Sequence, residues 1–305
     1  MSSLTVVAPE RSVVSSLWMA FLAVSVVALG FFAPSGLALL GFLGLVIVLH
    51  EAGHLVVARM VGMKPTEFFW GFGPEIFAFQ HRGCRYGVKA LSLGGYVKLE
   101  GMTPSAELPE GFDEASTYRA AGHGGRLATI LAGPLVNIGT GMIAFALSVK
   151  LGGAGWVDSM KAGPVDAWLI VTGTVDALAT WATNLTGYAA AVLDFSGQTE
   201  PPVRFLSPVA QAEVSGWAVS NGTRTSLLWF GVLSVAIGAL NLLPLPPLDG
   251  SHAAVVVVEW VIHRVKSLRE VRIDVNRLLP LAYLTLAILI TLSLSALVLD
   301  LRATV

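Results

Sequence analysis

Residues 37–60 read LALLGFLGLVIVLHEAGHLVVARM, and the two histidines and one glutamate set in this apolar run decide how the rest of the chain is read. A run of this length is a membrane span, because about 20 helical residues cross the hydrocarbon layer. Ionisable groups inside such a span are costly and mark function. On a helix, His50 and His54 stack one turn apart on one face, with Glu51 about 100° around the axis. Both imidazoles can then reach one metal ion while Glu51 addresses a water held there. A pair of structural histidines satisfied by neighbouring helices is the alternative, and it is weakest inside a membrane span.

Working outward, the composition agrees. Of 305 residues, 54% are hydrophobic and 13% charged, which predicts an α-helical multi-pass membrane protein. The net charge of -1 gives no basic excess for nucleic acid, and Cys84, the only cysteine, excludes an intramolecular disulfide. Uncharged runs predict five spans in a single domain, 1–305: residues 13–33, 37–60, 127–149, 226–248 and 278–299. Pro34-Ser35-Gly36 is the turn between the first two. The first is too long for the apolar region of a signal peptide and lacks a clear cleavage site, so it is kept as a span.

Lys64, Arg82, Arg85, Lys89, Lys98 and Arg119 lie between the second and third spans, and Arg264, Lys266, Arg269, Arg272 and Arg277 between the fourth and fifth. Both loops are therefore expected on the cytoplasmic side, with the N-terminus, while the more acidic stretch 151–225 faces outward. Within it, 177–193 is uncharged and Thr- and Ala-rich, read as an interfacial or re-entrant helix, or as an additional span that would upset this topology. Residues 66–100 are rich in aromatics, β-branched residues and glycine without helical period, and predict a small β-structure at the membrane face.

The fourth span closes in Asn241-Leu-Leu-Pro-Leu-Pro-Pro-Leu-Asp249-Gly250. The prolines stop the helix and imply extended backbone, tolerable at membrane depth only against protein or a wet cavity. Asp249 either caps the span at the interface or supplies the third ligand beside His50 and His54, and the histidine pair favours ligation. Gly41, Gly44, Gly139 and Gly141 are read as close-packing positions. His81, Cys84, His123, His252 and His263 have no partner at ligand spacing and are read as solvated or structural.

The pairing of His50-Glu-Ala-Gly-His54 with Asn241-x-x-Pro-x-Pro-x-Leu-Asp-Gly resembles the site-2 protease family of intramembrane zinc metalloproteases. Gly71-Phe-Gly-Pro74, Tyr86 to Lys98, Gly101-Met-Thr-Pro104 and Ala132-Gly-Pro-Leu-Val-Asn137 are similar to the bacterial branch that cleaves anti-sigma factors. Two departures stand out. The stretch 151–225 is too short and apolar for the PDZ domain that many of those relatives carry, and Ser251 stands where a second glycine is frequent.

The resemblance implies one Zn²⁺ held by His50, His54 and Asp249, with Glu51 as general base for a water at the open position. It implies single-span membrane proteins as substrates, anti-sigma factors among them, a regulatory membrane partner, and a bacterial inner-membrane location. Asn241 matches an asparagine that holds unwound substrate or stabilises the oxyanion, an interhelical hydrogen bond being the alternative. Asn137 either contacts substrate, supports a ligand, or packs the helix at its proline kink. An edge strand within 86–98, with Ser92 and Leu93 at its centre, is expected to pair with the substrate main chain, which must unwind before it can be cut. A transporter using the same residues as a proton relay gives no reason for the histidine spacing and shows no inverted repeat. An inactive scaffold gives none for Glu51.

The topology is open to direct test. Thiols introduced near Gly197 and near Lys266 are expected to react with impermeant reagent from opposite sides of the membrane; labelling from one side would overturn the span count.

Overall fold

The computed structural model describes residues 33–103, 107–194, 196, 198–266 and 272–303. The first expected span, 13–33, lies outside the described residues except for Ala33. Eight helices and one two-stranded sheet are described: α1 (Pro34–Met60), β1 (Pro65–His81), β2 (Cys84–Leu99), α2 (His123–Leu151), α3 (Trp156–Thr183), α4 (Leu185–Leu193), α5 (Pro208–Ser220), α6 (Thr223–Asn241), α7 (Asp249–Lys266) and α8 (Leu279–Ala303). Four segments are long and apolar enough to cross a membrane, namely α1, α2, α6 and residues 275–302 around α8. This is a multi-pass membrane fold, with a small sheet where the strand-like composition placed it.

α2 is the centre of the bundle, packing against α1, α3, α6 and α7. Glycines set how close its neighbours come, since without a solvent-driven force between apolar helices, tight backbone approach supplies the dispersion contacts. A Cβ on Gly53 of α1 would stand 2.7 Å from the Ala132 carbonyl oxygen of α2, and one on Gly238 of α6 would stand 2.8 Å from that of Pro134. Gly141 of α2 faces Val235 and the Gly231 carbonyl in the same way, and Gly44 of α1 faces the Trp70 ring of the sheet at 2.9 Å. Gly41 and Gly139, expected to do likewise, meet open space.

α1 ends where its own backbone closes. Gly62 takes the left-handed conformation (φ 88°), its N–H donates to the Arg59 carbonyl, and Met63 N–H reaches back to Ala58 O at 2.9 Å. This cap turns the chain directly into β1. The two strands pair antiparallel from His81 opposite Cys84 to Phe77 opposite Val88, then bend. Beyond the bend the second half of β2 returns along the first half of β1, with Trp70 opposite Gly95 and Phe68 opposite Val97. The first half of β1 also has residues 85–88 of β2 on its other side. Residues 95–99 are thereby an edge, with β1 on one side only among the described pairings.

Two expectations need correction. The fourth span was read as 226–248, but α6 stops at Asn241, and residues 242–248 form tight turns through the prolines in place of extended backbone. Asp249 then opens a further helix, α7, in what was read as a plain loop; it is a first-turn acid, favoured beside the free N–H groups there. The stretch 177–193 is not one helix: α3 runs to Thr183, breaks at Asn184, and α4 folds back against α8 through Tyr188 Oη to Ser295 Oγ (3.0 Å) and Arg302 to the Ala191 carbonyl (3.0 Å). Among the described residues, 151–225 holds three helices and no strand.

Gly53→Ala is expected to cost about 1–3 kcal/mol by forcing α1 off α2, read as a lowered thermal midpoint in detergent. Gly139→Ala should leave that midpoint unchanged.

Candidate metal centre

The centre is assembled from three helices. α1 supplies His50, Glu51 and His54, α2 runs behind them, and the start of α7 supplies Asp249. His50 Nε2 and Asp249 Oδ2 are 2.9 Å apart, His54 Nε2 and Asp249 Oδ2 3.3 Å, and the two Nε2 atoms 3.1 Å. These three residues form a group able to hold a metal ion. Tetrahedral bonds of about 2.0–2.1 Å would set ligand atoms about 3.3 Å apart, so the spacing fits zinc.

The protons point to the same conclusion. His54 Nδ1 lies 2.7 Å from the Thr129 carbonyl oxygen, which can only accept. His54 must therefore donate from Nδ1, and its neutral ring presents a bare Nε2 to the centre. His50 is held likewise on its far side, with Nδ1 3.2 Å from the Asn137 amide. The Asn137 Nδ2 atom is the one facing that ring nitrogen, so Asn137 fixes the orientation of the His50 ring. Asp249 Oδ2 is buried without a hydrogen-bond partner. Lone pairs converging on one point repel unless a cation sits between them, and this donor set matches Zn²⁺.

Space for the ion is left by a glycine. A Cβ on Gly133 of α2 would stand 2.7 Å from His50 Nε2 and closer still to His54 Nε2. Gly250, beside Asp249, has a comparable duty: it lies against the carbonyls of Leu242 and Leu243, where no side chain fits.

A cavity of about 290 Å³ opens from the centre, lined by Glu51, Tyr96, Val97, Asn241, Pro247 and His252 among others. The Glu51 side chain lies against the sheet, where a Cβ on Gly95 would be 3.0 Å from Glu51 Cγ and Val97 shares the cavity wall. Asn241 lines the cavity while its amide donates to the Ile237 carbonyl of its own helix (3.0 Å). Asn137 is fully buried, its Nδ2 against His50 and its main-chain carbonyl oxygen accepting from Ser234 Oγ of α6, a placement that suits support of a ligand and helix packing. Ser92 and Leu93 lie in β2 at its bend, not in the 95–99 edge that meets Glu51, and their side chains fall outside the described ones.

Sequence reasoning missed several parts. His252, read as solvated or structural, stands in α7 on the cavity wall. The Thr129 carbonyl is a backbone group with no sequence signature. A buried ion cluster anchors the helix that carries Asp249: Arg126 Nη2 of α2 lies 2.6 Å from Glu259 Oε2 of α7, Arg272 Nη1 lies 3.5 Å from the same oxygen, and Ile273 N–H donates to Oε1 at 2.7 Å. A carboxylate this buried is tolerable only when so fully partnered. The Arg and Glu are 133 positions apart, beyond any spacing rule.

A membrane-embedded HExxH helix whose two histidines converge with a distant aspartate defines the metal centre of a multi-pass membrane metallopeptidase. Residues 38–283 match peptidase family M50, and the chain belongs to that family. It is similar to the zinc metalloprotease Rip1 of Mycobacterium tuberculosis, at 41% identity over 92 residues, covering 30% of this chain and 22% of that protein. A Chlamydia pneumoniae protein provisionally named a zinc metalloprotease is 35% identical over 123 residues, 36% of this chain and 19% of its own length. A Clostridium acetobutylicum protein of similar provisional name is 33% identical over 111 residues, 36% of this chain and 31% of its own. The matched segments thus span less than a third of these relatives. The resemblance to site-2 proteases stands as family membership.

Gly133→Ala is expected to abolish stoichiometric zinc in purified protein while the helical circular-dichroism signal persists. Full zinc occupancy in that variant would show that the histidines do not meet behind α2.

Proposed function

We propose that the protein is an intramembrane zinc metalloprotease that hydrolyses peptide bonds within or near transmembrane segments of single-span membrane proteins. The observation that carries this reading is one cavity holding three metal-competent donors, an adjacent carboxylate and the free edge of a strand. Zinc, when bound by His50, His54 and Asp249, supplies Lewis acidity to the scissile carbonyl and acidity to water. Glu51 takes the proton that water loses on attack and returns it to the leaving amine, for which its place beside the ligands and at the strand edge suits it. Thr129 keeps the His54 imidazole in the tautomer that offers Nε2, and Asn137 holds the His50 ring in place. Asn241 faces the same cavity and is assigned to the substrate backbone or the developing oxyanion.

A helical peptide bond is masked by its own hydrogen bonds, and unwinding it in lipid leaves donors and acceptors unpaired at several kcal/mol each. The edge 95–99 answers this by offering main-chain partners next to Glu51, with Ser92 and Leu93 leading into it. Recognition through main chain places little demand on substrate sequence, in keeping with regulated intramembrane proteolysis of several single-span proteins. Anti-sigma factors are the substrate class we favour, with a separate membrane partner controlling their entry. The N-terminus is assigned to the cytoplasm of a bacterial cell.

Two outcomes are expected. Glu51→Gln should lose turnover of a single-span substrate by at least about 100-fold and keep its zinc, whereas Asp249→Ala should lose both; turnover by Glu51→Gln would remove the base from the mechanism. Proline at Ser92 or Leu93 should keep zinc and slow cleavage of helical membrane substrates far more than of short extended peptides. Equal losses on both substrates would show that the strand is no unwinding template.

A further inference from the structure

A second cavity, of about 340 Å³, lies away from the metal centre, where the end of α1, the start of β1, the β1–β2 turn and the loop 107–113 meet. Its wall carries Arg59, Lys64 and Arg82 against a single acid, Asp113. Asp113 is turned towards its own loop, accepting from Ser116 Oγ at 2.8 Å and Ala115 N–H at 3.1 Å, and approaches Lys64 Nζ only at 3.8 Å. Arg59 is steadied by Tyr86, with Nη2 donating to the phenol oxygen at 2.6 Å. Arg82 has no ion-pair partner among the described residues and is their only non-glycine with positive φ, 48°. An arginine in that conformation is held there at some cost, where glycine or asparagine would sit more easily. Gly83 and Gly111 leave open backbone on the same wall.

The cavity's place in the fold names the ligand. Arg59 stands in the last turn of a helix long enough to span the membrane, and Lys64 follows directly after its cap. At the opposite end of the sheet, Phe72 and Leu91 pair with both side chains exposed, an apolar tip suited to lipid. The sheet thus has an apolar end and a cationic end, and with α1 crossing the bilayer the cationic end would lie by the headgroups.

We propose that Arg59, Lys64 and Arg82 form a binding site for the phosphate of an anionic phospholipid headgroup, anchoring the sheet that borders the metal centre. Three cations around one concavity can share a phosphate that isolated surface lysines would only attract. The proposal is independent of the protease reading, since it rests on no residue of the metal centre.

The test is retention of phosphatidylglycerol and of phosphatidylcholine by the full-length protein in detergent, read by native mass spectrometry. The variants are Lys64→Gln with Arg82→Gly, the glycine accepting the left-handed backbone, and Arg264→Gln on α7 as a control for general basicity. Phosphatidylglycerol is expected to bind preferentially, with affinity falling about tenfold in the double variant and little in the control. Zinc content equal to wild type confirms that the double variant is folded. Inorganic phosphate, tested as competitor, should displace the lipid only weakly; phosphate that binds while phosphatidylglycerol does not would overturn the lipid assignment. Equal retention of both lipids, an unchanged double variant, or an equal loss in Arg264→Gln would overturn the site.

Discussion

The structure depends on how closely one helix can pass behind two imidazoles. α2 runs against α1 at the height of His50 and His54, and at Gly133 its surface is bare, so the space a methyl group would fill is left beside both Nε2 atoms. The same approach brings the Thr129 carbonyl to one ring and Asn137 to the other. A single helix therefore opens the space, sets the His54 tautomer, orients the His50 ring and supplies the packing surface for the helices around it. The glycines facing α2 on α1 and α6 follow from this constraint, since the rings reach their partners only if the backbones nearly touch.

Burial of charge is the second organising cost. A carboxylate or imidazole in an apolar bundle is destabilising unless each polar atom finds a partner. Away from the centre the chain meets this with the Arg126, Glu259 and Arg272 cluster, which holds α7 and the approach to α8. At the centre it does not: Asp249 Oδ2 is buried with no partner beyond the Nε2 atoms of His50 and His54 that face it. In the first cluster the buried carboxylate faces cations and an N–H donor, whereas Asp249 faces only imidazoles, and that difference marks where a cation fits.

The sheet joins the two halves of the chemistry. It is held to α1 by Trp70 at Gly44, and its edge approaches Glu51 at Gly95. The strand edge and the Glu51 carboxylate thus share one cavity with the three metal-competent donors.

The sequence alone carried the helical membrane class, the strand-rich insert and the metal ligands, because these are local facts. Apolar runs of span length, a histidine pair four residues apart and a proline-broken end with an aspartate each follow from neighbours along the chain. It misjudged where α6 ended and missed α7, since apolarity continues through Leu242–Leu248 while the prolines have already stopped the helix. What only the tertiary structure decided is which groups meet. Asn137 lies against His50, Gly133 leaves both Nε2 atoms clear, Gly95 of the 95–99 edge approaches Glu51, and Arg126 finds Glu259. These contacts join residues dozens to more than a hundred positions apart, and the packing of whole helices, which no local spacing encodes, sets their distances.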